Sequence, residues 1–242
     1  MSGIKSVCVY CGSSNDVDPA YIELAKQLGT AIAKRGWRLV YGGGTVGLMY
    51  ASAHAAHKAG GEVLGIIPKF LERIEGNYED VPHIVVDTMH ERKKLMFDES
   101  EAFVVLPGGI GTLEEAVETL SWAKLSLHAK PMAFLSEDDY WAPFFELLDH
   151  MIDGKFAPPS MRDLVVASKT PKEALDAMEG LFAQNQRWAD LIGVIRRRID
   201  LADDFGTRER LYANMASIFD EQLEQPEEAI NAYNEVLAFD DA

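Results

Sequence analysis

The chain has 242 residues, 48% of them apolar and 26% charged, which suits one large soluble domain, or one domain with a small appendage, and a core needing no disulfide staples. Its formal net charge of −16 excludes nucleic acid and anionic membranes as partners, because no basic stripe offsets that field. No run reaches the roughly 18 apolar residues of a membrane span. The N-terminus, MSGIKSVCVYCGSS, reads as a first strand and not as a signal peptide, so a cytoplasmic location is expected.

In chain order, β-rich runs at 6–10, 38–41, 62–67, 83–86, 102–106, 132–135 and 164–167 alternate with helical patterns at 19–35, 46–59, 90–100, 112–125, 140–153 and 171–183. Strict β-α alternation predicts a Rossmann-like, doubly wound α/β fold with a parallel sheet. Runs such as VCVY and FVVL are apolar throughout, as a sheet buried on both faces requires. Cys8 and Cys11 form a C-x-x-C, but a strand holds Cys8, whereas redox use needs the pair at a helix start. The expectation is a buried Cys8 and a small residue at the strand's end.

After about Gln184 the strands stop, which predicts a domain at 1–184 and a small all-α tail at 185–242. One helix spans 188–202, with Trp188, Leu191, Ile192, Ile195 and Ile199 on one face; two more span 208–223 and 227–239. Ala216, Phe219, Ala229, Tyr233 and Leu237 resemble a tetratricopeptide repeat. One repeat and a half is below the roughly three that stacks need, so the tail must lean on the α/β domain, a partner protein or another copy.

The strongest chemical signal is PGGIGTLEE at 107–115, which follows an apolar strand and opens a helix. Glycines let backbone approach a ligand, and the helix start offers N–H groups and partial positive charge to a phosphate. Gly108, Gly109, Gly111 and Thr112 are therefore candidate phosphate contacts. Glu115, four residues after Gly111, shares its helix face, and its side chain leans back toward the ligand. Thr112 and Glu115 also have the T-x-x-E spacing of a capping box, which leaves the three glycines unexplained.

A second loop, GGGTVG at 42–47, matches G-x-G-x-x-G and supplies Gly43 and Gly44. It follows the second strand and lacks the acidic ribose partner, so nicotinamide binding is not expected. A third turn, Cys11-Gly12-Ser13-Ser14, ends the first strand and supplies Gly12 and Ser13. All three loops belong on the carboxyl rim of the sheet, where open α/β folds bind ligands. In MHERKKLM at 89–96, Met89, Arg92, Lys93 and Met96 share a helical face, with His90 and Glu91 turned outward. Two adjacent cations on an apolar side either snorkel to water or meet partners. His54 and His57 lack companion metal ligands, and no nucleophile elbow is present.

YGGGTVGLM (41–49), MHERK (89–93) and PGGIGTLEE (107–115) together resemble the LOG ("lonely guy") proteins, cytokinin riboside 5′-monophosphate phosphoribohydrolases long labelled lysine decarboxylases. The resemblance covers roughly residues 4–183 and leaves out the tail. It implies a Rossmann-like fold and a homodimer with active sites near the subunit interface. It implies no metal, no nicotinamide and no other cofactor. It assigns catalysis to Arg92 and Glu115, and phosphate and ribose binding to residues 108–114, including Glu114.

The expected reaction is hydrolysis of the N-glycosidic bond of AMP or an N6-substituted AMP. Glu115, kept ionised by the helix start, would stabilise positive charge growing on the ribose. Arg92 would hold Glu115 or the nucleotide, or assist departure of the base. Lys93 would join it in binding, and Met89 would line the pocket for an apolar substituent. Two rival readings stand beside this one. The chain is a non-catalytic carrier of a nucleotide or cofactor, or an oligomeric scaffold whose helical tail drives assembly.

Overall fold

A computed structural model describes residues 4–76, 78–125, 127–202, 204–223 and 225–240. Seven strands form one parallel sheet: β1 (Ser6–Tyr10), β2 (Arg38–Tyr41), β3 (Val63–Pro68), β4 (His83–Val86), β5 (Ala102–Val105), β6 (Met132–Leu135) and β7 (Val165–Ser168). Their spatial order is β4-β3-β2-β1-β5-β6-β7. The helices between them are α1 (Pro19–Lys34), α2 (Gly47–Lys58), α3 (Lys69–Glu75), α4 (Met89–Asp98), α5 (Ile110–Lys124) and α6 (Ala142–Asp153). The chain ends in α7 (Pro171–Leu201), α8 (Phe205–Glu221) and α9 (Pro226–Asp240). The seven strands are those that the alternation predicts, with bounds shifted by a residue at most.

The topology decides where a ligand binds. β1 pairs with β2 on one side and with β5 on the other, with Cys8 level with Val40 and Phe103. Strand order therefore reverses between β1 and β5, and the crevice beyond their carboxyl ends is the preferred site of open α/β sheets. Every residue of β1 and β5 is buried, as the apolar runs predict. Phe103, Phe134, Trp141 and Phe145 pack in the core around them. Asp18 caps α1 by accepting from Ala20 N–H, with Pro19 in the first turn. α1 lies so close to α2 that a Cβ on Gly29 would stand 2.0 Å from the Ser52 carbonyl oxygen.

The chain divides into two compact units, Met1–Ser121 with Lys130–Gly180, and Trp122–Ala129 with Leu181–Ala242. The second unit has its own core of Ile192, Ile195, Ile199, Leu211, Met215, Ala216, Phe219 and Ala229, with Trp188 packed against it. Leu191 departs from the expected face and is 38% exposed. On α9, Tyr233 and Leu237 are exposed, together with Ile230.

The structure departs most from the sequence reading at two helices. The helices expected at 171–183 and 188–202 are one helix, α7, because no glycine or proline between them breaks the backbone. α3 was not expected at all. It has seven residues, too few for a visible periodicity, but Pro68 before it and Gly76 at its end, with φ of 70°, are its punctuation.

Candidate active site

The loops after β1, β2 and β5 interlock at Gly12. Its N–H donates to the Pro107 carbonyl at 3.0 Å, and its carbonyl accepts from Leu48 N–H at 3.0 Å. A Cβ on Gly47 (φ 58°) would stand 2.6 Å from the Ser13 carbonyl carbon, and one on Gly108 would stand 2.2 Å from Thr112 Oγ1. These glycines let three backbones meet with no side chain between them. By contrast, a Cβ on Gly109 or Gly111 would meet nothing within 4 Å. The open space of this site therefore lies over the first turn of α5.

That turn begins earlier than the T-x-x-E spacing suggests. α5 starts at Ile110, and Leu113 N–H already donates to the Gly109 carbonyl. Thr112 is a helical residue, buried against Gly108, and cannot be the N-cap. The capping box of this site stands instead at α4. Thr88 Oγ1 accepts from Glu91 N–H at 3.1 Å, and Glu91 Oε2 accepts from Thr88 N–H at 3.1 Å and Asp87 N–H at 2.9 Å. Glu91 is exposed, as expected, and closes a T-x-x-E at 88–91. It fixes the helix start that carries Arg92.

Arg92 does not snorkel; it is 6% exposed. Its Nε donates to the Ile66 carbonyl at 3.2 Å and its Nη2 to the Gly42 carbonyl at 3.0 Å. These carbonyls lie near the carboxyl ends of β3 and β2. The guanidinium lies so close to Gly42 that a Cβ there would stand 1.8 Å from Nη2. The glycine loop after β2 is thus a seat for an arginine, a role its dinucleotide-like spacing does not reveal. Within that loop, Gly43 has φ of 81° and lies against Ile67, while Gly44 lies against Met49 and the Glu75 carboxylate.

Arg92 Nη1 stands 4.0 Å from Glu115 Oε1 and 3.9 Å from Met89 Sδ. Arginine carries five N–H donors, so two anchors leave others for the Glu115 side. Glu115 does not stay fully ionised at neutral pH, which corrects the expectation drawn from the helix start. Burial, with a smaller push from neighbouring Glu114 and Glu118, outweighs the opposing pull of Arg92 and Lys93 and raises its pKa to about 7. The side chain sits in the second turn, where the helix dipole has faded.

Lys93 reaches Glu114 at 2.5 Å and Glu118 at 3.0 Å, joining α4 to α5. Met89 is 37% exposed at the start of α4. Burial raises both the Cys8 and Cys11 thiols well above their usual range, so both are protonated. His54 is half-buried, with Nδ1 at 3.0 Å from the Tyr78 hydroxyl and 3.3 Å from that of Tyr50, which gives it a structural role. Tyr140, from the β6–α6 connection, donates to the Gly108 carbonyl at 2.8 Å. No sequence motif marked it.

A protein-family profile described as "Possible lysine decarboxylase" matches residues 49–178. A cytokinin riboside 5′-monophosphate phosphoribohydrolase of Arabidopsis thaliana is 41% identical over 179 residues, which are 74% of this chain and 82% of that protein. The enzyme of the same description from Oryza sativa subsp. japonica is 39% identical over 179 residues, 74% of each chain. Among solved structures, the molybdenum cofactor carrier protein of Chlamydomonas reinhardtii is similar in fold, with a TM-score of 0.58 and 24% identity over 74% of this chain and 98% of that one. With this identity and coverage, the chain belongs to the LOG family of cytokinin riboside 5′-monophosphate phosphoribohydrolases.

Proposed function

We propose that this protein hydrolyses the N-glycosidic bond of AMP or N6-substituted AMP, releasing the free base and ribose 5-phosphate. The observation that carries this reading is the buried Arg92–Glu115 pair, 4.0 Å apart, beside an uncrowded glycine-rich helix start. The phosphate docks on the first turn of α5, against the N–H groups that precede its first internal hydrogen bond. This sets the ribose about one helical turn from Glu115.

As the C1′–N bond breaks, its electron pair leaves with the base and positive charge grows on the ribose. Ionised Glu115 stabilises that charge and takes a proton from the attacking water, whose oxygen bonds to C1′. The departing base gains a proton in exchange. A pKa of about 7 suits a group that must both lose and regain a proton near neutrality. Arg92, fixed by two backbone carbonyls, orients the carboxylate. Met89, beside it, lines the space for the base.

The test is release of base from AMP and from N6-isopentenyl AMP, measured by chromatography, with Glu115→Gln alongside. Wild-type release that the variant loses by a hundredfold or more is the expected result; unchanged turnover in Glu115→Gln excludes the scheme. A carrier would bind the nucleotide without releasing base; the Chlamydomonas relative in fold is described as a molybdenum cofactor carrier protein.

The protein works, on this reading, in the cytoplasm as a homodimer or higher homo-oligomer. β4 leaves Ile84 and Val85 exposed and α5 leaves Ile110 and Val117 exposed, apolar surface that a second copy would cover. The tail acts as a tetratricopeptide-like assembly arm, supported by the exposed Ile230, Tyr233 and Leu237 of α9. Removing residues after Gly180 is then expected to lower the oligomeric state and leave hydrolysis intact.

A further inference from the structure

We infer that Tyr140 is a positioning residue that sets the orientation of the Gly108–Gly109 peptide, and so aims an N–H donor at the substrate's phosphate. The inference rests on the phosphate site proposed above. A peptide between two glycines turns over at little steric cost, because neither neighbour carries a Cβ. Its two orientations present opposite ends of one dipole. One offers the anion an N–H; the other offers a carbonyl oxygen, which repels it.

The Tyr140 hydroxyl selects between them by donating to the Gly108 carbonyl at 2.8 Å. In a trans peptide the C=O and the following N–H point in opposite directions. Holding the Gly108 oxygen toward Tyr140 therefore turns the Gly109 N–H away from it. Around Gly109 the space is open, with nothing within 4 Å of the place a Cβ would take. The Gly108 α-carbon is already fixed by Gly12 and Thr112, so this peptide plane is the loose element that needs a latch.

Tyr140 is itself held in place. Its ring packs edge-on against Tyr21 at 5.7 Å and against Trp141 at 5.1 Å. The Tyr21 hydroxyl donates to Asp138 at 2.5 Å. Asp139, just before Tyr140, has a left-handed φ of 58°, which non-glycine residues adopt seldom and only where the surroundings hold them. Here the Asp139 carbonyl accepts from Ala142 N–H at 2.8 Å and its carboxylate pairs with Lys169 at 2.9 Å. A strained backbone thus presents a tyrosine that is 39% exposed, so burial does not explain its place.

Tyr140→Phe removes one oxygen and keeps the ring contacts. Calorimetric titration with ribose 5-phosphate, titration with adenosine and steady-state kinetics with AMP test it together. The expected result is a rise of about 3- to 10-fold in both the ribose 5-phosphate dissociation constant and KM. kcat, the melting temperature and adenosine binding stay near wild type. Unchanged ribose 5-phosphate affinity overturns the inference, as does an equal loss for adenosine or a fall confined to kcat. A wild type that binds ribose 5-phosphate but releases no base defeats the hydrolase reading alone, and the titration still decides Tyr140. Absence of ribose 5-phosphate binding by either protein overturns both.

Discussion

Gly42→Ala tests whether the glycine loop after β2 exists to seat Arg92. The added methyl carbon would stand 1.8 Å from Arg92 Nη2 and 3.0 Å from its Cζ, whereas real contacts do not fall below about 3 Å. The guanidinium must retreat by about 1 Å or more, and neither route of escape is easy. Staying near Gly42 keeps a clash, and leaving it breaks the bonds to the Gly42 and Ile66 carbonyls. Such charge-assisted bonds contribute about 1.5–3 kcal/mol each. A displacement of about 1 Å in a catalytic group lowers turnover by about a hundredfold. The expected outcome is therefore a fall of that size in kcat/KM for AMP, although neither Arg92 nor Glu115 has changed. Gly180→Ala, where a Cβ meets nothing within 4 Å, is the control and keeps wild-type rates. A Gly42→Ala enzyme within threefold of wild type refutes the reasoning.

The titration of Glu115 makes stability depend on pH. Between the ordinary glutamate value of about 4.3 and about 7, the folded protein keeps a proton that the unfolded chain has released. Stability then falls as pH rises through that window, by about 4 kcal/mol in total. Glu115→Gln, neutral at every pH, is expected to melt near wild type at pH 4.5 and several degrees above it at pH 8; a gap that fails to widen counts against the buried charge. Thr88→Ala removes the acceptor of the Glu91 N–H, so it is expected to cost about 1 kcal/mol in urea denaturation. An unchanged midpoint would mean that the α4 capping box is idle.

Much of the architecture was legible because burial on both faces forces uninterrupted apolar runs. β1 and β5 announce themselves that way, and the loops after them follow as the rim of the site. Local spacing was a poorer guide, because two T-x-x-E matches differ only in where the helix begins. At 88–91 the threonine precedes α4 and caps it. At 112–115 the helix has already started at Ile110, so Thr112 is a helical residue and is buried. The ionisation of Glu115 departs from the helix-start expectation for a related reason. A helix start favours a carboxylate only in its first turn, and burial beyond that turn outweighs it. Tyr140 left no sequence signal, since its partner is a backbone carbonyl 32 positions away.

The glycines show why composition alone does not separate binding from packing. Gly12, Gly42, Gly43, Gly44, Gly47 and Gly108 all lie against other atoms of the chain, where a side chain would strike backbone, the Arg92 guanidinium or a neighbouring side chain. Each is consistent with phosphate binding by its type and its loop, yet each is needed to bring strand ends together. Gly109 and Gly111 face open space, so no such contact accounts for them. Glycine where a larger residue would fit leaves backbone N–H groups unshielded, which is what an anion at a helix start requires. The crowded glycines build the frame that holds Arg92 and the strand ends. The two uncrowded ones mark where the phosphate belongs, with Glu115 on the same helix, one turn beyond Gly111.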